Sequence, residues 1–335
     1  MESEEIGLVA DIGRVSVRFG LTGGGHGLVP REVQSFSTSE HPSFTSALLS
    51  YLDAVGMRDA PLPSVLAVAG AVRGNVINLT GSRWYISLSG VEAVLRRPPR
   101  ALNECAASAL ALPILTAAEM LALPGPPPHK IAAGGNYLVV APGTGLGIAA
   151  LRTIDGRLMP MQSEAGHMML APATAEETRF VEALARQRTV ASIESLLSAP
   201  GLVSAYAALS TGTGTGTPAL PTPEDVTRTA SRDPIAAAAV TMFIEHLGSV
   251  IGDLVLAFGT WDGVFITGSI ARALRPRIAA TGFRRRMEGK AAFRNQLADV
   301  PVAVINRSGL ELIGARQRSM RNDAGGRMAR RTFPA

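Results

Sequence analysis

The apolar positions of residues 137–151 come in two runs, Leu138 to Ala141 and Ile148 to Leu151. Between them stands Gly143-Thr144-Gly145-Leu146-Gly147. Period-2 apolar character on both sides predicts strand, tight turn, strand. Residues 7–20, GLVADIGRVSVRFG, repeat the arrangement: a strand ending in Asp11, a turn at Gly13, then a second strand. A third strand is expected over 29–36 and a further turn at 23–25. Residues 43–55 have helical spacing instead, with Phe44, Leu48, Leu52 and Val55 on one face.

The same reading predicts a buried strand over 64–71, a turn at Gly74-Asn75 into Val76-Ile77, and a short strand over 100–102. An Ala-rich helix follows at 105–112. Residues 123–135, with PGPPP, read as a loop. Residues 176–188 read as an amphipathic helix, separated from a helix at 202–209 by Ser198-Ala199-Pro200-Gly201. Residues 210–218, STGTGTGTP, are low-complexity and carry no chemistry of their own. Residues 234–258 form a long apolar helix, with Pro234 in its first turn and Gly259 after its end. A strand at 263–267, a helix from Ile270, a strand at 300–305 and a helix at 310–318 complete the order. Two blocks thus each begin with a Gly-turned hairpin. This suggests two related α/β domains with a ligand in the cleft between them.

Composition narrows the classes. The chain has 335 residues, 47% hydrophobic and 18% charged, which is ample for two globular domains. One cysteine excludes a disulfide framework and a multi-Cys zinc site. MESEEIG is not a charged-then-apolar leader and no run of 18 apolar residues is evident, so a soluble cytoplasmic protein without a membrane partner is expected. The net charge of +5 is concentrated late, in Arg316, Arg318, Arg321, Arg327, Arg330 and Arg331, and in Arg284-Arg285-Arg286. Both clusters read as solvated surface. With aromatics at 5%, little is available to stack on bases, and nucleic acid is not expected as a partner.

The chemistry sits at the turns. Glycines remove the side chain that blocks close approach, permit φ > 0, and let successive N–H groups face an anion; Thr144 adds a hydroxyl. A plain hairpin tip explains the same residues. No Lys-Ser or Lys-Thr follows the glycines, which excludes a P-loop. The continuing apolar strand argues against a dinucleotide fingerprint. Asp11 at a strand end suits metal or phosphate chemistry, or an Asx-type turn cap.

Taken in order, these segments resemble the bacterial glucokinase family, the hexokinase-like group without a cysteine zinc motif. GLVADIG with RFGL is similar to the family's first phosphate motif, and APGTGLGIA to the second. SEAGH is similar to its sugar-binding segment, ESLLSAPGL to the Glu-x-x-x-Ser-Gly-Pro-Gly-Leu segment, and GTWDGVFITGSI to the adenosine motif. The resemblance spans nearly the whole chain. It implies an actin-like, RNase H-like α/β fold of two domains, residues 1–104 with 308–335 and residues 105–307. It further implies ATP and Mg²⁺ as cofactors, γ-phosphoryl transfer to the 6-hydroxyl of glucose as the first step of glycolysis, and a homodimer. Carried over by residue, it implies sugar binding by Asn103, Glu164, His167 and Glu194. It implies nucleotide binding by Asp11, Ile12, Gly13, Gly143, Thr144, Gly145 and Gly268, with Asp11 also on the metal side.

Three positions depart from the pattern. Glu104 stands where the family has the catalytic Asp, and its extra methylene moves a carboxylate by roughly an ångström, a scale that affects rate. Arg14-Val15-Ser16 replaces Gly-Thr-Asn in the first turn. Gly81-Ser82-Arg83-Trp84 replaces Asn-His-Thr-Trp near the sugar. Three readings follow: a glucokinase with Glu104 as base, a homologue that binds sugar as a sensor, or a kinase for a different hexose.

Overall fold

The computed structural model describes residues 5–23, 29–79, 81–187, 190–210 and 222–325. The glycines at 24–25 and the low-complexity residues 211–218 lie outside these, as do the side chains of the arginines from Arg321 on. The chain divides into two compact units, Met1–Ile114 with Gly309–Ala335, and Leu115–Ser308.

The first unit carries strands β1 (Gly7–Ile12), β2 (Ser16–Thr22), β3 (Arg31–Ser37), β4 (Ser64–Val68), β5 (Val76–Asn78), β6 (Tyr85–Ser87) and β7 (Pro99–Asn103). Its helices are α1 (Phe44–Ala54), α2 (Leu88–Leu95) and α3 (Glu104–Ala111). The five-stranded sheet runs β3-β2-β1-β4-β7. β1 is antiparallel to β2 and parallel to β4, and β4 is parallel to β7. β1 and β4 are buried throughout, as continuous apolar runs flanked on both sides require. Phe19, Phe44 and Tyr51 stack beneath the sheet, and Trp84 closes the cluster from the β5–β6 hairpin.

The second unit carries β8 (Met120–Ala122), β9 (Gly135–Pro142), β10 (Leu146–Ile154), β11 (Arg157–Ser163), β12 (Gly263–Ile266) and β13 (Val302–Ile305). Its helices are α4 (Ala175–Arg186), α5 (Ala199–Ser210), α6 (Pro223–Thr229), α7 (Pro234–Phe258), α8 (Ser269–Ile278), α9 (Phe283–Glu288) and α10 (Arg294–Ala298). Its sheet runs β11-β10-β9-β12-β13-β8, which repeats the first order and adds an antiparallel edge strand. The final helix α11 (Leu310–Gly325) returns to the first unit.

Several expectations need correction. The first unit runs to Ile114, and its α3 packs directly on α11; a Cβ on Gly314 would stand 1.7 Å from the Ala107 carbonyl oxygen. Ser198-Ala199-Pro200-Gly201 is no break between helices: α5 begins at Ala199, where a Pro in the first turn loses no helical bond. The loop over 123–135 is preceded by β8, whose three residues are too few for a periodic signal. α7 is long and apolar enough to cross a membrane, although Glu245, His246 and Asp253 interrupt its apolar positions, and it is mostly buried as the unit's core helix.

The arginine clusters are also less solvated than expected. Arg316 is 1% exposed. Arg284 donates to the carbonyls of Val300 and Ala298 and pairs with Glu288, while Arg286 pairs with the buried Glu177; Arg285 is largely solvated. Glu177 also accepts from His246 Nδ1 at 3.2 Å and from the Ala173 amide at 2.6 Å. Burial alone would raise its carboxyl. The hydrogen bonds from His246 and Ala173, with the charges of His246 and Arg286, outweigh that and hold it at about 2.

Candidate functional site

In the first unit the predicted residues gather at the carboxyl ends of the parallel strands. Asp11 is buried near the end of β1, whose last residue is Ile12, and Gly13 opens the turn that follows. Arg18, directly opposite on β2, donates to Asp11 Oδ2 from Nη2 at 2.5 Å and from Nε at 2.9 Å. The same Nη2 lies 3.0 Å from Glu311 Oε2 on α11. Burial first, then the nearby Glu311 charge, raises the Asp11 carboxyl to about 6 against the opposing pull of Arg18.

The first turn closes through the Gly13 amide, which donates to the Ser16 carbonyl at 3.0 Å, and through Thr38 Oγ1, which donates to the Arg14 carbonyl at 3.0 Å. Arg14 and Val15 both keep negative φ, so a β-branched residue fits this turn without strain. Val15 points to solvent, 64% exposed. The Arg14 side chain lies over Gly81. A Cβ on Gly81 would meet Arg14 Cδ at 2.9 Å and Nη1 at 3.0 Å, and Gly81 has φ +68°. Two of the departures from the family pattern are therefore in contact: a long side chain at 14 occupies the space that a glycine at 81 leaves open.

Asn103 ends β7 and caps α3. Its Oδ1 accepts from the Cys105 amide at 2.8 Å and the Ala106 amide at 3.3 Å, while Nδ2 donates to the Gly70 carbonyl at 3.3 Å. This caps the helix on whose first position Glu104 stands. A carboxylate there is favoured by the positive end of the helix dipole.

The second unit gathers its residues around the start of β10. Gly143 donates to the Gly145 carbonyl at 2.8 Å, and its own carbonyl accepts from Ala199 at the head of α5 at 2.7 Å. Thr144 at the tip is exposed. Neither Gly143 nor Gly145 has positive φ. Gly145 is needed for space: a Cβ would stand 2.7 Å from Glu194 Oε2, the same oxygen that accepts from the Leu146 amide at 2.7 Å. Glu164 precedes the single 3-10 turn Ala165–His167, and both Glu164 and His167 are exposed. That turn packs on the glycine turn, since a Cβ on Gly166 would meet the Leu146 carbonyl oxygen at 2.5 Å. The Met168 carbonyl accepts from Ile193 at 2.8 Å, tying this segment to that of Glu194. Gly268 lies against the Pro142 carbonyl and brings the start of α8 to the same place. Gly143, Thr144, Gly145, Glu164, His167, Glu194 and Gly268 are thus brought together.

Sequence reasoning missed Glu311, which has no motif around it and reaches Arg18 across 293 positions. It also missed that the Gly13 and Gly143 amides are used within their own turns. Among the described residues no three His, Cys, Asp or Glu side chains gather as a metal cluster. One carboxylate suits Mg²⁺ that arrives on a nucleotide, because that ion keeps several waters and takes one or two carboxylates plus phosphate oxygens. Asp11 fits this donor set, since both Arg18 contacts fall on Oδ2.

Comparison with known proteins converges on one family. The glucokinase family profile matches residues 8–322. A glucokinase of Stenotrophomonas maltophilia is 36% identical over 92% of this chain and 93% of its own length. The chain belongs to the glucokinase family. A Xanthomonas campestris glucokinase is 35% identical over the same shares. The crystal structure of a glucokinase from an Antarctic psychrotroph superposes with a TM-score of 0.77 at 27% identity, covering 94% of this chain and 99% of that one. The Balamuthia mandrillaris glucokinase, solved with glucose, gives 0.80 at 20% identity over 93% of each chain, a likeness that establishes the fold. The architecture is accordingly the actin-like α/β fold of sugar kinases.

Proposed function

We propose that this chain is an ATP-dependent glucokinase that transfers the γ-phosphoryl group to the 6-hydroxyl of D-glucose. The observation that carries the reading is that, within each unit, the predicted residues gather near the end of its central strand, β1 in one and β9 in the other, in a chain that matches the family over residues 8–322. Phosphoryl transfer asks the protein chiefly to position reactants and to stabilise charge. The parts support both tasks. Glu104, fixed by the Asn103 cap, takes the proton of the attacking hydroxyl. Glu164, His167 and Glu194 offer acceptors and a donor to sugar hydroxyls. Mg²⁺ would be held through Asp11 and would supply charge neutralisation between the phosphates. The segments carrying Gly143, Thr144, Gly145 and Gly268 hold the nucleotide. The same reading has the protein acting in the cytoplasm as a homodimer on a free hexose, without nucleic acid or membrane.

A coupled assay of ADP release across a panel of hexoses, with calorimetry of glucose binding, tests this. Glucose-dependent ADP release that falls about a thousandfold in Glu104→Gln supports it. Glucose binding without turnover would show a sugar-binding homologue instead, and turnover confined to another hexose would reassign the substrate.

A further inference from the structure

Glu311 touches none of the residues assigned to sugar or nucleotide, yet it connects both sides of the first unit's chemistry. It lies in the first turn of α11, just after Gly309. Its Oε2 receives Arg18 Nη2 at 3.0 Å, and that nitrogen also holds Asp11. Its Oε1 receives Ser108 Oγ at 3.2 Å. Ser108 follows Glu104 by four positions on α3, so the two share a helix face. A single carboxylate therefore joins β1 through Arg18 and the base-bearing helix through Ser108. The helix start beneath it favours its charge.

We propose that Glu311 is a positioning residue that sets the charge balance at Asp11 and ties α3 to it. The inference rests on the kinase reading of Asp11 given above. Asp11 and Glu311 carry two negative charges against the one positive charge of Arg18. The triad is net negative, which favours a cation–polyphosphate complex over the bare polyphosphate. If Glu311 were neutral, Arg18 would cancel Asp11, and the site would lose that preference. The Ser108 link has a separate consequence: it holds the helix bearing Glu104 in register without altering charge.

The test is calorimetry of full-length protein with ATP, once with excess Mg²⁺ and once with EDTA. Glu311→Gln is nearly isosteric. It is expected to weaken Mg·ATP binding about tenfold while metal-free ATP binds as well as or better than before. Equal weakening of both forms, or no change in either, overturns the inference. Glu311→Asp keeps the charge and is expected to retain the preference for Mg·ATP; it decides the matter if the Gln variant does not fold. Ser108→Ala is expected to leave both affinities within about twofold and lower kcat with little change in KM. Wild-type kcat in that variant would overturn the tether. Failure of the wild-type protein to bind either nucleotide form would overturn the kinase reading and this inference with it. Nucleotide binding by the wild type, with the preference for Mg·ATP unchanged in Glu311→Gln, overturns this inference alone.

Discussion

The two units share a strand order, and each turns sharply after its central strand, but the turns are stabilised differently. The first, at Gly13, sits in a charged setting of Asp11, Arg18 and Glu311 with Arg14 beside it. The second, at Gly143, takes its shape from close packing: the Glu194 carboxylate on the Leu146 amide and Gly166 on the Leu146 carbonyl. A charged turn keeps its geometry by balanced Coulomb forces, and its substitutions should change affinity and pH response. A packed turn keeps its geometry by excluded volume, and its substitutions should be all-or-none in size.

The largest effect is expected at the charged turn. Asp11→Asn should lower kcat/KM by about a thousandfold or more, because it removes the carboxylate proposed to hold Mg²⁺. Its effect on stability should have the opposite sign. The folded-state carboxyl, raised to about 6, lies above the ordinary 3.8. The contribution of this group to stability is therefore fully present below 3.8 and is lost as pH rises through about 6. The Asn variant should then be at least as stable as wild type at pH 8, as measured by thermal melting; a lower melting temperature at pH 8 would break the picture of a site strained for function.

The packed turn offers a contrast within three residues. Gly145→Ala places a Cβ 2.7 Å from Glu194, whereas Gly143→Ala meets nothing within 4 Å. Displacement on that scale should cost about a hundredfold in kcat/KM for the first, and less than about threefold for the second. Comparable losses in the two variants would show that backbone freedom, not space, is what the turn requires.

Away from both turns, Glu177→Ala should destabilise the second unit by about 3 kcal/mol in denaturant unfolding, because it strands the buried His246 and Arg286. The native Glu177 carboxyl, at about 2 against 4.5 unfolded, stabilises above 4.5, and that stabilisation is lost as pH falls from 4.5 through 2. A variant equally stable to wild type at pH 7 would refute this. The smallest effect is expected at the Arg14 contact. Gly81→Ala should cost about 1–2 kcal/mol from positive φ and the clash with Arg14. Adding Arg14→Gly should recover the clash component, and a double-mutant cycle with no coupling would separate the two positions.

The sequence by itself determined the hairpins, the long helix with its Gly259 cap and the order of the motifs, because each is written in neighbouring residues: a period of two, a period of 3.6, a glycine in register. It also singled out the residues that converge in each unit. Tertiary structure decided what those residues do for one another. Only packing shows that Gly145 makes room for Glu194, that Arg14 fills the space above Gly81, and that Arg316, Arg284 and Arg286 are structural. Glu311 is the clearest case. It meets Arg18 across 293 positions, and an interaction between residues that far apart leaves no periodic or local signal; it exists only once the chain returns α11 to the first sheet.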